Sequence, residues 1–147
     1  MTVLGIDFGL KRIGLAFSDP GGRIAFPGRV ITGTPEAAVA EVAREAAERR
    51  AGTIVVGLPK NMDGSRGDMA DRAAAFADAL RAATVAEVDT WDERLTSVQA
   101  DRAMLAGDLS RKKRKQHIDA LAAQIMLQSY LDRARSKPGP AETEDGP

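Results

Sequence analysis

The sequence predicts a single α/β domain in which a five-stranded mixed sheet carries helices on both faces. Short apolar segments alternate with turn residues over the first 32 residues, which indicates an antiparallel three-strand meander. Two further apolar strands then alternate with Ala-rich helices, as parallel strands do. No repeat or linker interrupts the 147 residues. We therefore expect one domain over residues 1–135, followed by a disordered tail at 136–147.

The meander is predicted at residues 2–8, 12–18 and about 23–32. The first segment, TVLGIDF, is a short apolar run, as a buried strand would be. The segment SDPGG between the second and third strands combines three residue types that form turns. Because the connections are this short, consecutive strands must pair antiparallel.

The second half begins with a helix of about 16 residues that starts at Pro35, with Thr34 as its N-cap. Gly52 is expected to end this helix. The wholly apolar segment TIVVG at 53–57 then predicts a buried parallel strand.

Four more elements complete the predicted domain. They are a helix at about 68–83, a strand at 85–91, a helix at about 96–106 and a final helix at about 113–135. The final helix is expected to bury one side formed by Ile118, Leu121, Ala122, Ile125 and Leu131.

Composition limits the chemistry that this chain can perform. It has no cysteine, which excludes disulfides, thiolate nucleophiles and cysteine-ligated zinc. A single histidine, His117, excludes His-rich metal sites. Any metal must therefore be held by carboxylates, which favours Mg²⁺ or Mn²⁺. Lysine plus arginine equals aspartate plus glutamate, 21 each, so no global charge indicates a nucleic-acid partner.

No apolar stretch reaches the length of a membrane span, and no membrane partner is expected. The N-terminus lacks a charged segment followed by an apolar one, as a secretion signal would have. A cytoplasmic location is expected.

Acidic residues stand at positions where a carboxylate is costly. Asp7 interrupts an apolar strand, and burial of a charge costs several kcal/mol unless it is paired or binds metal. Asp92 and Glu93 fall at or just past the end of the last strand, at the sheet edge where ligands bind. Asp119 follows Ile118 at the border of the apolar side of the final helix. Convergence of Asp7, Glu93 and Asp119 would require a divalent cation between them.

Each acid also has a structural interpretation. Asp7 could form the turn before Gly9, and Glu93 could pair with Arg94 or cap a helix. Asp119 could lie on a solvated helix face.

The predicted sheet order makes one geometric demand. If the 53–57 strand lies between the first and last strands, Asp7 and the last strand are two spacings apart, roughly 9–10 Å. Glu93 must then reach inward with its longer side chain, and Asp92 is less suited to be a ligand.

Four sequence blocks resemble the YqgF/RuvX family of RNase H-like nucleases, and the resemblance extends from residue 4 to about 132. The blocks are GIDFGLKRIGLA, VVGLPKNMDGSRG, DERLTSVQA and RKKRKQHIDALAAQIMLQSYLD. Their order and spacing make the resemblance specific, whereas GIDFG alone would be weak.

The resemblance implies an RNase H-like fold and carboxylate-held Mg²⁺ or Mn²⁺. By motif, Asp7 matches the first-strand acid of the family, Glu93 the acid of its DER block and Asp119 the acid of its terminal helix. Family members are proposed either to mature the 5′ end of 16S rRNA or to resolve Holliday junctions.

Basic and polar residues near these acids suit phosphate binding on their own chemistry. The candidate substrate-binding residues are Lys11, Arg12, Lys60, Asn61, Arg94, Lys113 and Arg114. The last two belong to the RKKRK run at 111–115, for which a solvated charge run is the alternative. His117 is expected on a helix surface, with proton shuttling as the alternative.

The function predicted from these residues is that of a metal-dependent endonuclease acting on precursor 16S rRNA. The first alternative is a resolvase of branched DNA, and the others are a non-catalytic RNA-binding module and a sugar kinase, because GIDFG also resembles a kinase phosphate loop. Ribosomal particles are a further candidate partner. A monomer or weak dimer is expected.

Overall fold

The structure, a computed structural model, describes residues 1–59, 67–96 and 111–136. For residues 111–119 and 136 it describes the backbone alone. Its strands are β1 (Thr2–Asp7), β2 (Arg12–Ser18), β3 (Ala25–Thr32), β4 (Ala51–Leu58) and β5 (Glu87–Asp92). Its α-helices are α1 (Pro35–Glu48), α2 (Asp68–Ala83) and α3 (Arg111–Ser136). One 3-10 turn, Glu93–Leu95, follows β5.

The five strands form one mixed sheet in the order β3-β2-β1-β4-β5. β1 pairs antiparallel with β2, and β2 antiparallel with β3. β1 pairs parallel with β4, and β4 parallel with β5. The predicted meander and parallel pair are therefore confirmed. β1 is the central strand, while β3 and β5 are the two edge strands.

Helices α1 and α2 cover one face of the sheet. Alternate residues of β1 and β4 point to this face, and they form the larger core with the apolar sides of both helices. Its fully buried side chains include Leu4, Ile6, Val42, Ile54 and Leu80. Helix α1 begins as predicted, because Thr34 Oγ1 accepts a hydrogen bond from the Ala37 amide at 3.3 Å.

Helix α3 covers the opposite face, where the sheet carries small residues. Ala16 and Ala25 are buried there against Leu127 and Leu131. A Cβ on Gly5 would lie 2.9 Å from the Leu127 Cβ, so the helix approaches the central strand more closely than any side chain would allow. The second core is thus thin, and it places α3 directly on β1.

The predicted end of α1 and start of β4 were wrong by a few residues. Helix α1 ends at Glu48, and Arg50 rather than Gly52 takes the left-handed backbone conformation, with φ of 55°. Gly52 lies within β4, where a Cβ would contact the Met1 side chain. The helix therefore ends through Arg50 and leaves Gly52 to the strand.

The third strand starts later than predicted, at Ala25. The Asp19 carboxylate accepts hydrogen bonds from the amides of Gly21, Arg23 and Ile24. Those bonds, led by the one from Ile24, hold the pKa of Asp19 below its usual value. Because the amides of Arg23 and Ile24 are already bound, the turn extends up to Ala25.

The buried side of α3 differs from the predicted one. Ile125 and Leu131 are buried as predicted, whereas Leu121 and Ala122 are only partly buried. Ala120 and Ala123 are buried instead, in line with Leu127 and Leu131. The Ile118 side chain, most of the predicted 96–106 helix and the tail from 137 lie outside the described residues.

The last strand was predicted to begin at 85, but Val85 is fully exposed and β5 begins at Glu87. None of the helices in the described ranges is long and apolar enough to cross a membrane.

Candidate functional site

Asp7 is the last residue of the central strand β1, and it lies on the face covered by α3. Gly5, two residues earlier, contacts Leu127 of that helix, and side chains two apart on a strand share a face. Asp7 comes one residue after Ile6, which pairs with Val56 of β4. It is partly buried, at the end of the sheet where β1, β4 and β5 all finish.

Glu93 reaches inward from the end of β5, as the geometry requires. It is the first residue of the 3-10 turn that follows the strand. A Cβ on Gly57 would clash with Glu93 Oε2 and would lie 3.1 Å from Glu93 Cδ. The carboxylate therefore lies over Gly57 of β4. Gly57 follows Val56, which pairs with Ile6, the residue before Asp7. Gly57 leaves the space through which Glu93 extends towards the central strand.

The surroundings of Glu93 disfavour its negative charge. Burial raises the pKa of Glu93, and the charge of the neighbouring Asp92 raises it further. Within the described part of the chain, the Glu93 carboxylate has no hydrogen-bond or ion-pair partner. A partly buried carboxylate in this state suits a bound cation, so the residues present fit a hard metal ion.

Asp92 is engaged by Arg94. The Arg94 amide donates to Asp92 Oδ1 at 3.0 Å, and Arg94 Nη2 donates to Asp92 Oδ2 at 2.7 Å. Asp92 thus caps the 3-10 turn and holds the Arg94 guanidinium group on its own carboxylate. That Asp92 is the less suited ligand stays a prediction.

Trp91 and Thr96 support the turn that carries Glu93. Trp91 Nε1 donates to Thr96 Oγ1 at 3.3 Å, and the Thr96 amide donates to the Glu93 carbonyl at 3.0 Å. Trp91 is buried, and its ring meets Tyr130 of α3 edge to face at 5.7 Å between centroids. The indole is therefore part of the core and not a platform for bases.

Asp119 lies in α3, in the part for which only the backbone is described. It precedes Ala123 by four residues and Leu127 by eight, so the three positions share one row of the helix. Leu131 packs in the cluster that contains Val3, near the start of β1. Leu127, about one turn earlier in the helix, packs against Gly5, further along β1. Earlier turns of α3 therefore lie towards the end of the sheet that carries Asp7.

Two predicted phosphate-binding residues lie in the connection from β1 to β2. Lys11 is exposed, and Arg12 is partly buried as the first residue of β2. The Lys11 carbonyl accepts a hydrogen bond from the Gly33 amide at 3.3 Å, which ties this turn to the end of β3. The turn follows Asp7 directly, so its cations border the candidate site.

The roles of the other predicted substrate-binding residues and of His117 stay predictions. Lys60 and Asn61 lie outside the described residues. Lys113, Arg114 and His117 lie in the first turns of α3, where only the backbone is described.

No three Asp, Glu or His side chains among those that the structure describes lie close enough together to hold a metal ion. The side chain of Asp119 is outside that set. A cavity of about 260 Å³ opens between α1 and α2, lined by Phe8, Val39 and Phe76 among others. It lies on the face opposite to Asp7 and is separate from the candidate site.

Sequence reasoning missed Gly57 and Thr96. Gly57 carries a signal, because a glycine near the end of a wholly apolar strand marks a place that another group approaches closely. Thr96 was placed at the start of a helix, and nothing local marks its contact with Trp91.

The sequence is similar to known proteins over most of its length. The profile of the family described as RuvX, Holliday junction resolvase, matches residues 1–133. A protein of Pelotomaculum thermopropionicum, whose name proposes a pre-16S rRNA nuclease, is 46% identical over 90% of this chain and 87% of its own length. A relative with the same name from Halalkalibacterium halodurans is 44% identical over 93% of this chain and all of its own.

Solved structures share the fold at low identity. RuvC of Thermus thermophilus in complex with a Holliday junction substrate has a TM-score of 0.59 and 19% identity, covering 92% of this chain and 96% of its own. The Fowlpox virus resolvase in complex with Holliday junction DNA has a TM-score of 0.57 and 11% identity, covering 91% of this chain and 99% of its own. The predicted fold class, an RNase H-like mixed sheet, is thereby confirmed.

Proposed function

Because this chain belongs to the RuvX family, we propose that it is a metal-dependent endonuclease that hydrolyses phosphodiester bonds in structured nucleic acid. The observation that carries the proposal is the position of Glu93. Its carboxylate extends over Gly57 towards the strand that ends in Asp7, and burial raises its pKa. Two acids that project from neighbouring strand ends, at the carboxyl edge of a sheet, suit a cation site.

The metal ligands in this proposal are Asp7, Glu93 and Asp119, with Mg²⁺ or Mn²⁺ as the ion. When bound, such ions activate water and stabilise the leaving oxygen of a phosphodiester. Asp7 supplies a carboxylate from the rigid centre of the sheet. Glu93 supplies the second from the 3-10 turn that Thr96 and Trp91 brace. Asp119 supplies the third from the early part of α3.

Cations around these acids would hold the substrate backbone. The Arg94 side chain is oriented by hydrogen bonds from its Nε and Nη2 to the Asp92 carboxylate, and it lies next to Glu93 in the chain. Lys11 and Arg12 follow Asp7 in the turn before β2. Guanidinium and ammonium groups position a phosphate without reading sequence, so they suit a substrate selected by its shape. Lys60, Asn61, Lys113 and Arg114 are proposed as further contacts to the backbone.

The substrate that we favour is the 5′ region of precursor 16S rRNA. Relatives at 44–46% identity carry names that propose this activity, and they align over nearly their whole length. A single cut on one strand needs only one active site, which fits a monomer or weak dimer. The protein would then act in the cytoplasm, on RNA that is free or within ribosomal particles.

The second candidate function is Holliday junction resolution. The description of the family profile favours it. A resolvase makes two symmetric cuts, so it generally needs a two-fold dimer. The two functions therefore differ in the number of cuts and in the oligomeric state that each requires.

A parallel cleavage assay tests the proposal. Purified protein with Mg²⁺ or Mn²⁺ would be given the 5′ leader of precursor 16S RNA or a four-way DNA junction, with the Asp7→Asn variant as control. We expect cleavage of the RNA that is lost in the variant, while thermal unfolding shows that the variant is folded. Symmetric cleavage of the junction alone would favour the resolvase, and light scattering should then detect a dimer. A folded Asp7→Asn variant with full activity would contradict the proposed site.

A further inference from the structure

Two glutamines of α3 bind the backbone of β3. The Ala25 amide donates to Gln128 Oε1 at 2.9 Å, and Gln124 Nε2 donates to the Ala25 carbonyl at 3.0 Å. Gln128 Nε2 also donates to the Arg23 carbonyl at 2.9 Å. Ala25 is buried at the start of an edge strand, where backbone groups lack a further strand as partner. The two side chains therefore act in the place of a neighbouring strand.

These contacts fix α3 along its own axis. Apolar packing tolerates small sliding, whereas three hydrogen bonds to one short segment are lost if the helix moves by even a fraction of its 5.4 Å turn. The close approach of Leu127 to Gly5 fixes the distance between this part of the helix and the sheet. Together they hold the helix at a single position on the sheet.

We propose that Gln124 and Gln128 are positioning residues that set where the early turns of α3, and with them Asp119, lie relative to Asp7 and Glu93. This inference rests on the proposed function. Gln124 follows Asp119 by five residues and Gln128 by nine, which is about 7.5 and 13.5 Å along the helix. A shift of α3 at the glutamines is thus carried along a rigid helix to the metal ligand. Metal coordination tolerates displacements of only about 0.2 Å, so the shift acts on metal affinity.

The experiment measures Mn²⁺ affinity by calorimetry in the Gln124→Met, Gln128→Met and double variants. Methionine keeps the length of the side chain and removes the hydrogen bonds. We expect the Mn²⁺ dissociation constant to rise about 10-fold or more in the double variant, as for other residues that orient ligands. The single variants should lie between it and the wild type. The two single variants also keep the test available if the double variant does not fold.

A Val42→Ala variant is the matched control, because it weakens the core on the opposite face without touching α3. Its Mn²⁺ affinity should equal that of the wild type, although its free energy of unfolding falls.

Two results would overturn the inference and can be told apart. Folded glutamine variants with wild-type Mn²⁺ affinity would remove the positioning role alone, provided that Asp7→Asn abolishes binding. If wild type and Asp7→Asn bind Mn²⁺ equally, the proposed metal site fails and the positioning role with it. Cleavage measured over a range of Mn²⁺ should agree, with the variants regaining activity at high Mn²⁺ while KM for nucleic acid is unchanged.

Discussion

At the scale of single residues, Glu93 and Gly57 form one close contact in the candidate site. The long acidic side chain crosses β4 only because the residue beneath it has no Cβ. The sequence indicated that Glu93 had to reach inward, because the strand order set a gap that a shorter aspartate would not cross. Gly57 marks a close approach, but the sequence did not indicate Glu93 as its partner, because the two residues are 36 positions apart.

Replacement of Glu93 by glutamine should stabilise the metal-free protein at neutral pH. Burial and Asp92 raise the pKa of Glu93 in the folded state above its value in the unfolded chain. The contribution of Glu93 to the free energy of unfolding is therefore fully present below about pH 4. It is lost as the pH rises through the pKa that Glu93 has in the folded protein. Glutamine removes that loss without a change in shape. Thermal unfolding in EDTA should show a melting temperature a few degrees above wild type at pH 7 and no difference below about pH 4.

Glu87→Gln is the control for this prediction, since Glu87 is an exposed glutamate on the same strand. Its melting temperature should follow that of the wild type at both pH values. A melting temperature of Glu93→Gln below that of the wild type at pH 7 would instead indicate that Glu93 is paired in the folded protein.

Replacement of Gly57 by alanine should impair the site more than the fold. The added Cβ would occupy the position of the Glu93 carboxylate, which must then turn away from Asp7. We expect Mn²⁺ affinity and cleavage to fall about 10-fold or more, as they do when a ligand loses its orientation. The control is Gly52→Ala on the same strand, where the new Cβ would meet only the flexible Met1 side chain. Equal activity of the two variants would contradict this role for Gly57.

At the scale of elements, the side chain of Tyr130 joins α3 to β5. The Tyr130 hydroxyl donates to Asp89 Oδ2 at 3.1 Å. Burial, and then the charge of Asp89 and this hydrogen bond, raise the pKa of Tyr130 to about 12. The bond joins the last turns of α3 to the strand that ends beside Glu93.

Because the chain has a single tyrosine, absorbance can follow its ionisation directly. The folded protein should titrate near the raised pKa of about 12, and the unfolded protein near 10. A raised folded pKa means that stability is fully present below about pH 10 and is lost as pH rises through that higher value. Asp89→Asn should lower the folded pKa only in part, since burial is the larger cause. Titration of the native protein near pH 10 would show that Tyr130 is not buried between α3 and β5.

The order of strands and helices was predicted more accurately than the residues at which they begin and end. The order of strands and helices follows from apolar segments and turn residues, which act locally, so the meander and the parallel pair could be read in advance. The ends depend on particular contacts. The Asp19 carboxylate delays β3, and Arg50 ends α1 at a position where glycine was expected. The buried side of α3 also could not be read, because only the assembled sheet shows how thin that layer is.

At the scale of the whole molecule, formal charges cancel, so nucleic-acid binding must rely on local clusters. Lys11 is exposed in the turn after Asp7 and is proposed to contact phosphate. Lys11→Ala should weaken binding of every nucleic acid tested and reduce the slope of log affinity against log salt by roughly 1. Filter binding with the Asp7→Asn protein as parent avoids cleavage. Arg44→Ala, an exposed cation on α1, should leave the slope unchanged, and an effect as large as that of Lys11→Ala would point to non-specific attraction.

The central and edge strands of the sheet differ in local stability. Asp7 stands on a strand with two neighbours, whereas Glu93 follows β5, which pairs with β4 alone. Edge strands open locally at a lower free energy than central ones, so hydrogen exchange should be faster in β5 than in β1. Opening of β5 would separate the two carboxylates while the rest of the domain stays folded. On heating, the protein should therefore lose its metal and its activity several degrees before it unfolds.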